Sequence, residues 1–161
     1  MFHKLLLAAL CLVEFTSTAS AQEYATSGDW VINVNPDNGN GCYMQKIFET
    51  GTLIQVGFDP ARKGAFFAAY NAAWTDIAVG ETSAPLFDFN DSRFQGEALG
   101  VELNGVPGGY AFFDNPEFAS EFGRRLSFTL QGAKGGSEEF DLAGSQRAIS
   151  VVKECQTAQE E

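Results

Sequence analysis

The segment from residue 126 to residue 142 constrains the fold most, because apolar and polar residues alternate on both sides of a glycine-rich turn. A period of two is typical of a strand with one buried face and one solvated face. Glycines at residues 132–136 can supply the positive φ angles of a tight reversal. We therefore predict a β-hairpin, with its apolar positions on the buried face: Leu126, Phe128, Leu130, Phe140 and Leu142.

The helix predicted after this hairpin begins at Gly144 and Ser145, because a serine oxygen can accept hydrogen bonds from the first free N–H groups of a helix. The following residues place one apolar stripe on the helix and leave polar residues on its other side. The helix should therefore lie on the core and carry Cys155 towards the interior. The stripe consists of Ala148, Ile149, Val151, Val152 and Cys155.

The first 21 residues have the pattern of a cleaved secretory signal. Lys4 gives a basic start, an apolar run follows at residues 5–13, and the small residues 19–21 precede the expected cleavage site. This run is too short to cross a bilayer, which needs roughly 20 apolar residues. We predict a leader at residues 1–21 and a single β-rich domain at residues 22–161. The leader predicts a periplasmic or secreted protein.

The chain is acidic, with a formal net charge of −11 at pH 7. The acidic residues are spread along the chain and are not gathered in a tail. This balance disfavours nucleic acid and anionic membrane surfaces as partners, and it favours solubility or a cationic partner. No second segment is long and apolar enough to predict a membrane span.

Two cysteines, Cys42 and Cys155, remain once the leader with Cys11 is removed. In an oxidising compartment they most simply pair with each other. A free catalytic thiol is the alternative, but His3 is the only histidine and leaves with the leader, so no imidazole would activate it. We predict a structural disulfide that bonds the last helix to an early strand.

The remaining pattern predicts many short strands, glycine-rich turns and one further short helix beginning near Asn115 and Pro116. The expected fold is mainly β with a minor α+β character. It is an antiparallel β-sandwich or a partly closed β-barrel, with the short helix and the C-terminal helix packed on it. Residues 24–29 are read as a polar lead-in. The predicted strands lie at 30–34, 42–48, 52–58, 64–70, 74–78, 86–89, 93–103 and 110–113. At 64–70 the alanines also allow a helix, 74–78 can continue the strand before it, and 93–103 is one bulged strand or two short ones.

Loss of the single histidine excludes Ser-His-Asp and Cys-His catalysis and histidine-ligated metal sites in the exported chain. The sequence also lacks a phosphate-binding glycine loop before a helix. We therefore expect no cofactor, no metal and no catalytic residue of these classes. A pair of carboxylates in an aromatic cleft could still hydrolyse a glycan, and Asp76 beside Trp74, or Glu97 with Glu102, could form one.

A binding patch is predicted at Tyr70, Trp74 and Arg93, because these residue types dominate the energetics of protein interfaces. Burial in the core is the competing interpretation for Trp74.

A resemblance to known proteins is carried by Trp30, Cys42, the segment 140–149 and Cys155. The chain resembles small exported proteins of alphaproteobacteria, including the invasion-associated locus B family. The resemblance covers the two ends of the chain. It implies a periplasmic or surface protein, linked in some members to host-cell invasion, and it implies no catalytic residues.

These features favour an exported, non-enzymatic binding or interaction module of the bacterial envelope. Its partner is a protein or a small molecule, and the acidic charge favours a cationic one. Two other functions remain open. One is an inhibitor of a cationic lysozyme, suggested by size, export, acidity and the disulfide; the other is a histidine-free hydrolase that acts on glycans through paired carboxylates.

Overall fold

The computed structural model describes residues 21–160 apart from the Phe94 side chain, so the predicted leader lies outside the described residues except for Ala21. Twelve strands and two α-helices follow one another within residues 21–160. They are β1 (Gln22–Ser27), β2 (Trp30–Asn35), β3 (Gly41–Ile47), β4 (Leu53–Asp59), β5 (Gly64–Tyr70), β6 (Thr82–Ser83), β7 (Leu86–Asp88), β8 (Arg93–Gln95), β9 (Ala98–Leu103), β10 (Val106–Phe113), α1 (Glu117–Gly123), β11 (Ser127–Gln131), β12 (Ser137–Asp141) and α2 (Ser145–Gln159).

The strands form two sheets, and every pairing is antiparallel. The large sheet has the order β1-β2-β3-β4-β5-β10-β9-β6, and the small sheet has the order β12-β11-β7-β8. Both helices lie against β1 to β5, while the small sheet covers the β5-β10-β9 side of the same face. The predicted sandwich-like β architecture with a C-terminal helix is confirmed.

The core between these layers is built from aromatic rings around Phe128, which is fully buried on β11. Its ring centroid lies 5.0 to 6.4 Å from five other phenylalanine rings, in stacked and edge-to-face arrangements. Such pairs contribute beyond the area that they bury. The five rings come from both sheets, from α1 and from the residue that follows β7: Phe67, Phe87, Phe122, Phe140 and Phe89.

The C-terminal helix is held at both ends against the early strands. The Sγ atoms of Cys42 and Cys155 lie at disulfide distance, with their Cα atoms 6.1 Å apart. Beside them the Cys42 N–H donates to the Gln156 side-chain oxygen at 2.9 Å. At the other end the buried Trp30 donates its indole N–H to the carbonyl oxygen of Ala143 at 3.1 Å.

The helix begins differently from the prediction. Gly144, at φ 80°, is the N-cap residue, and no side chain caps the helix. The Ser145 hydroxyl donates instead to the carbonyl oxygen of Gly123 at 2.9 Å, which joins the end of α1 to the start of α2. Gly123 also permits close packing of the two helices, since a Cβ there would lie 2.5 Å from an Ile149 methyl carbon.

The outer face of the large sheet carries a second aromatic cluster. Tyr43, Phe66 and Tyr70 are all less than a tenth exposed, although no layer covers this face in residues 21–160. Their rings lie over glycines on neighbouring strands: a Cβ at Gly57 would lie 2.4 Å from the Tyr43 Cβ, and one at Gly108 would lie 2.4 Å from the Tyr70 ring. The aromatic side chains therefore cover strand positions that have no side chain of their own.

Burial raises the pKa of Tyr43 and Tyr70 in this outer cluster, and that of Tyr110, which packs against it. A folded-state pKa above the ordinary value of about 10 means that stability is unaffected below that pH and falls as the pH rises above it. Tyr24 is the fourth tyrosine and is 44% exposed, so we replace it with phenylalanine. At pH 10 the native Tyr24→Phe variant should show less tyrosinate absorbance than the same variant unfolded in urea. A full titration near pH 10 with unchanged circular dichroism would contradict this expectation.

Three local predictions were wrong. Residues 24–29 were expected to be a polar lead-in, but β1 pairs with β2 at the edge of the large sheet. Residues 74–78 were expected to be a strand, but they form turns beside the sheet. Leu126 was expected on the buried face, but it lies just before β11 and is 85% exposed. The confirmed elements include the buried strand β5 and the α2 stripe around Ala148, Ile149, Val152 and Cys155.

No helix within residues 21–160 has the length and apolar character needed to cross a membrane.

Candidate functional site

A cavity of about 480 Å³ opens between the two sheets, on the side where the small sheet covers β5, β10 and β9. Ligand pockets in proteins commonly measure about 300 to 1,000 Å³. Well-packed interiors, by contrast, hold few voids larger than a water molecule. A cavity of this size is therefore a candidate ligand site and not an ordinary packing defect.

The floor of the cavity consists of small residues on the inner face of the large sheet. Ala69 of β5 pairs with Gly109 of β10, and Ala111 of β10 pairs with Ala98 of β9. On neighbouring strands, larger side chains at such inward positions fill the core, as Ile54 and Val56 do on β4. The cavity exists because the sequence places alanine and glycine at these adjacent positions.

Aromatic and aliphatic side chains form the walls. Phe67 and Phe87, 5.0 Å apart between ring centroids, close the inner end. Trp74 and Ile77 come from the loop that follows β5, and Leu130 comes from β11. These walls suit an apolar ligand, because the transfer of apolar surface from water into an apolar environment is favourable in free energy.

The loop that carries Trp74 is anchored by the buried side chain of Asn71. Its amide nitrogen donates to the Thr52 hydroxyl at 2.8 Å, and its side-chain oxygen accepts from the Ala73 N–H at 2.8 Å. The Trp74 N–H then donates to the Asn71 carbonyl oxygen at 3.0 Å. A hydrogen-bonded turn thus holds the tryptophan at the cavity wall.

The mouth of the cavity is crossed by one lysine. Lys134, in the turn between β11 and β12, donates from Nζ to the carbonyl oxygen of Asp76 at 2.8 Å and to Glu81 Oε2 at 2.9 Å. The hydrogen bond and the charge of Lys134 lower the pKa of the Glu81 carboxyl. The contact links the hairpin to the loop on the opposite side of the opening.

A second carboxylate at the cavity, Glu138 of β12, is held by hydroxyl groups. Thr52, which is fully buried, donates to Glu138 Oε2 at 2.8 Å, and the Thr50 hydroxyl donates to Glu138 Oε1. These bonds connect the β3–β4 turn to the small sheet. Glu138 therefore contributes negative charge to the lining while its oxygens already have partners.

The three residues of the predicted binding patch lie on different parts of the molecule. Trp74 lines the cavity. Tyr70 is 8% exposed and belongs to the cluster on the outer face of the large sheet. Arg93 lies on β8 of the small sheet and forms an ion pair with Asp88 at 2.7 Å. The structure does not bring these side chains into one surface.

The residues that define the mouth and the floor of the cavity were not predicted from the sequence. Lys134 lies in the predicted turn at residues 132–136, and Glu81 lies between the predicted strands 74–78 and 86–89. One local signal pointed to the floor: the small residues of segments 68–69 and 108–109 lie within otherwise aromatic strands. Glycine within a strand often marks a place where a ligand or another backbone comes close.

The cavity also bears on the carboxylate-pair hypothesis. Trp74 and Asp76 line it, whereas Glu97 and Glu102 do not. A glycosidase needs one carboxylic acid with a raised pKa as its proton donor. The pKa of Glu81 is lowered by Lys134, which is the opposite direction.

Within residues 21–160, no group of three or more His, Cys, Asp or Glu side chains is arranged to hold a metal ion.

Comparison of the chain with protein-family models, curated proteins and solved structures gives no match.

Proposed function

We propose that this protein is an exported, non-catalytic binding protein of the bacterial envelope, and that its ligand is a small, largely apolar molecule held between the two sheets. The single observation that carries the proposal is the cavity of about 480 Å³, with its small-residue floor and its aromatic walls. Its size, apolar lining and few polar groups at the mouth match the usual character of small-molecule sites.

Energetic cost supports a functional role for the cavity. Large-to-small replacements in a core destabilise a protein by about 2 to 5 kcal/mol when they leave a void. Here four adjacent positions that line the cavity are small, namely Ala69, Ala98, Gly109 and Ala111, and at Gly109 an added Cβ would meet only the Ala98 Cβ, at 3.9 Å. A binding function gives a reason to retain this empty volume.

Export is supported by the leader-like pattern at residues 1–21 and by the pair Cys42 and Cys155 at disulfide distance. Disulfides persist in oxidising compartments and are rare in the cytosol. The resemblance of both chain ends to the invasion-associated locus B family suggests the same location, and a role at the host interface.

Filling the cavity tests the proposal. Gly109 lies on the inner face of β10, and a Cβ there would meet only the Ala98 Cβ, at 3.9 Å. Its φ is not in the left-handed region, so a Gly109→Phe variant should fold, with a melting temperature equal to or above that of the wild type. We expect it to bind N-phenyl-1-naphthylamine, a neutral fluorescent probe, at least about tenfold more weakly than the wild type.

Thr129→Phe is the matched control, because it adds the same ring on β11 but on the opposite face from Phe128 and the cavity-lining Leu130. This variant should bind the probe as the wild type does. Equal probe affinity of wild type and Gly109→Phe, both folded, would place the apolar site elsewhere and contradict the proposal.

A further inference from the structure

The hydrogen bonds of Lys134 describe an ammonium-binding position at the mouth of the cavity. A carbonyl oxygen, from Asp76, and a carboxylate oxygen, from Glu81, lie 2.8 and 2.9 Å from one nitrogen. An ammonium group carries three N–H donors and no acceptor, so this pair of acceptors matches its chemistry. The position belongs to the same opening that leads to the aromatic walls.

We propose that the ligand class of the cavity is an apolar molecule that bears a primary ammonium group, and that Lys134 occupies the ammonium position until such a ligand displaces it. This inference rests on the binding function proposed above and names its ligand chemistry. The apolar body of the ligand would lie between Phe67, Phe87 and Trp74. Its ammonium would donate to the Asp76 carbonyl oxygen and to the Glu81 carboxylate.

The charge of the lining favours a cation over an anion. Asp76, Glu81 and Glu138 are acidic, and Lys134 is the single basic residue among the residues that line the cavity. The whole chain carries a formal charge of −11. An incoming carboxylate would meet net negative charge both at the mouth and at long range, whereas an ammonium would be attracted.

Displacement of Lys134 needs little free energy, because its ion pair with Glu81 is exposed. The side chains of Lys134 and Glu81 are 50% and 42% exposed. Exposed ion pairs contribute little to stability, and the released lysine regains water and conformational freedom. The lysine lies in a turn with glycines on both sides, and Gly135 and Gly136 have positive φ angles of 104° and 77°. Lys134 lies outside β11 and β12, so its side chain can leave Glu81 without breaking a strand pairing.

Three compounds with one apolar body test the inference: 4-phenylbutylamine, 4-phenylbutanol and 4-phenylbutanoate. Each would compete with N-phenyl-1-naphthylamine for the mature wild-type protein at pH 7 and low salt. We expect the amine to displace the probe about tenfold more tightly than the alcohol, and the carboxylate to displace it most weakly. High salt should reduce the difference between the three compounds.

Two variants separate the ammonium position from the apolar cavity. Glu81→Gln should weaken amine binding about tenfold and alcohol binding much less, because the alcohol carries no charge and can still donate to the amide oxygen of the new side chain or to the Asp76 carbonyl oxygen. Lys134→Met should strengthen amine binding several-fold, because the internal competitor is gone while Glu81 remains. If Lys134 were instead an anchor for anionic ligands, Lys134→Met would weaken carboxylate binding and leave amine binding unchanged, and this result would overturn the inference.

The outcomes also distinguish the two proposals. Alcohol binding with no preference for the amine, or a preference for the carboxylate, would overturn the ligand class and leave the apolar binding function standing. Failure of the probe and all three compounds to bind the folded wild type would overturn both.

Discussion

Replacing both Cys42 and Cys155 with alanine is expected to produce the largest loss of stability of any change that leaves the sheets intact. The two residues are 113 positions apart, and a cross-link over a loop of this length lowers the entropy of the unfolded chain. The corresponding stabilisation is about 4 to 5 kcal/mol, and measured values are commonly smaller. We expect urea unfolding of the double variant to have a clearly lower midpoint than that of the oxidised wild type.

Reduction supplies an independent comparison, because dithiothreitol should bring the wild type close to the double variant. Gln156→Ala is a matched control at the same contact: it removes the acceptor of the Cys42 N–H and leaves both sulfur atoms in place. Its expected cost, about 1 to 3 kcal/mol, is that of an unpaired buried donor. Identical unfolding of the oxidised wild type and the double variant would show that the two thiols do not cross-link the chain.

The second large effect is expected at Phe128, where replacement by alanine should lower the unfolding free energy by about 3 to 5 kcal/mol. Its side chain is fully buried and touches rings from β5, β7, α1 and β12. Removal of the ring leaves a void that no single element can close, because the rigid layers on every side would have to move together. Chemical denaturation of purified protein measures this change.

Leu126→Ala is the control on the same chain segment. Leu126 precedes β11 by one residue, is 85% exposed and gives only its carbonyl oxygen to the sheet, where it accepts from the Leu142 N–H at 2.8 Å. The substitution should change the unfolding free energy by no more than about 0.5 kcal/mol. A comparable loss in both variants would mean that the core is not centred on β11 as described.

The elements that the sequence predicted well are those whose apolar period reports burial directly. The hairpin β11–β12 and the α2 stripe bury most of the residues that their period selects, and β5 is buried on both faces, as its continuous run of alanines and aromatic residues predicts. The period predicts burial only within a strand or helix. Leu126 lies just before β11, and this explains why it is exposed. β1 was not predicted as a strand because its sequence is mostly polar. It is an edge strand that pairs only with β2, and such a strand needs backbone hydrogen bonds but few apolar side chains.

The cavity could not be predicted from local patterns, because its lining comes from both sheets and two loops. Its floor depends on β10 lying between β5 and β9, a pairing between segments far apart in the chain. The run at residues 74–78 is apolar like a strand, yet Trp74 and Ile77 serve as a wall of the cavity. The contact between Lys134 and Glu81 joins two turns separated by 53 residues, which no motif records.

A crystal structure of the mature protein grown with 1-bromonaphthalene, a neutral apolar molecule that reports its position by anomalous scattering, tests the central claim most directly. The account predicts bromine density in the cavity between Phe67, Phe87 and Trp74. Bromine density confined to the aromatic cluster on the outer face of the large sheet, with the cavity free of it, would contradict the account.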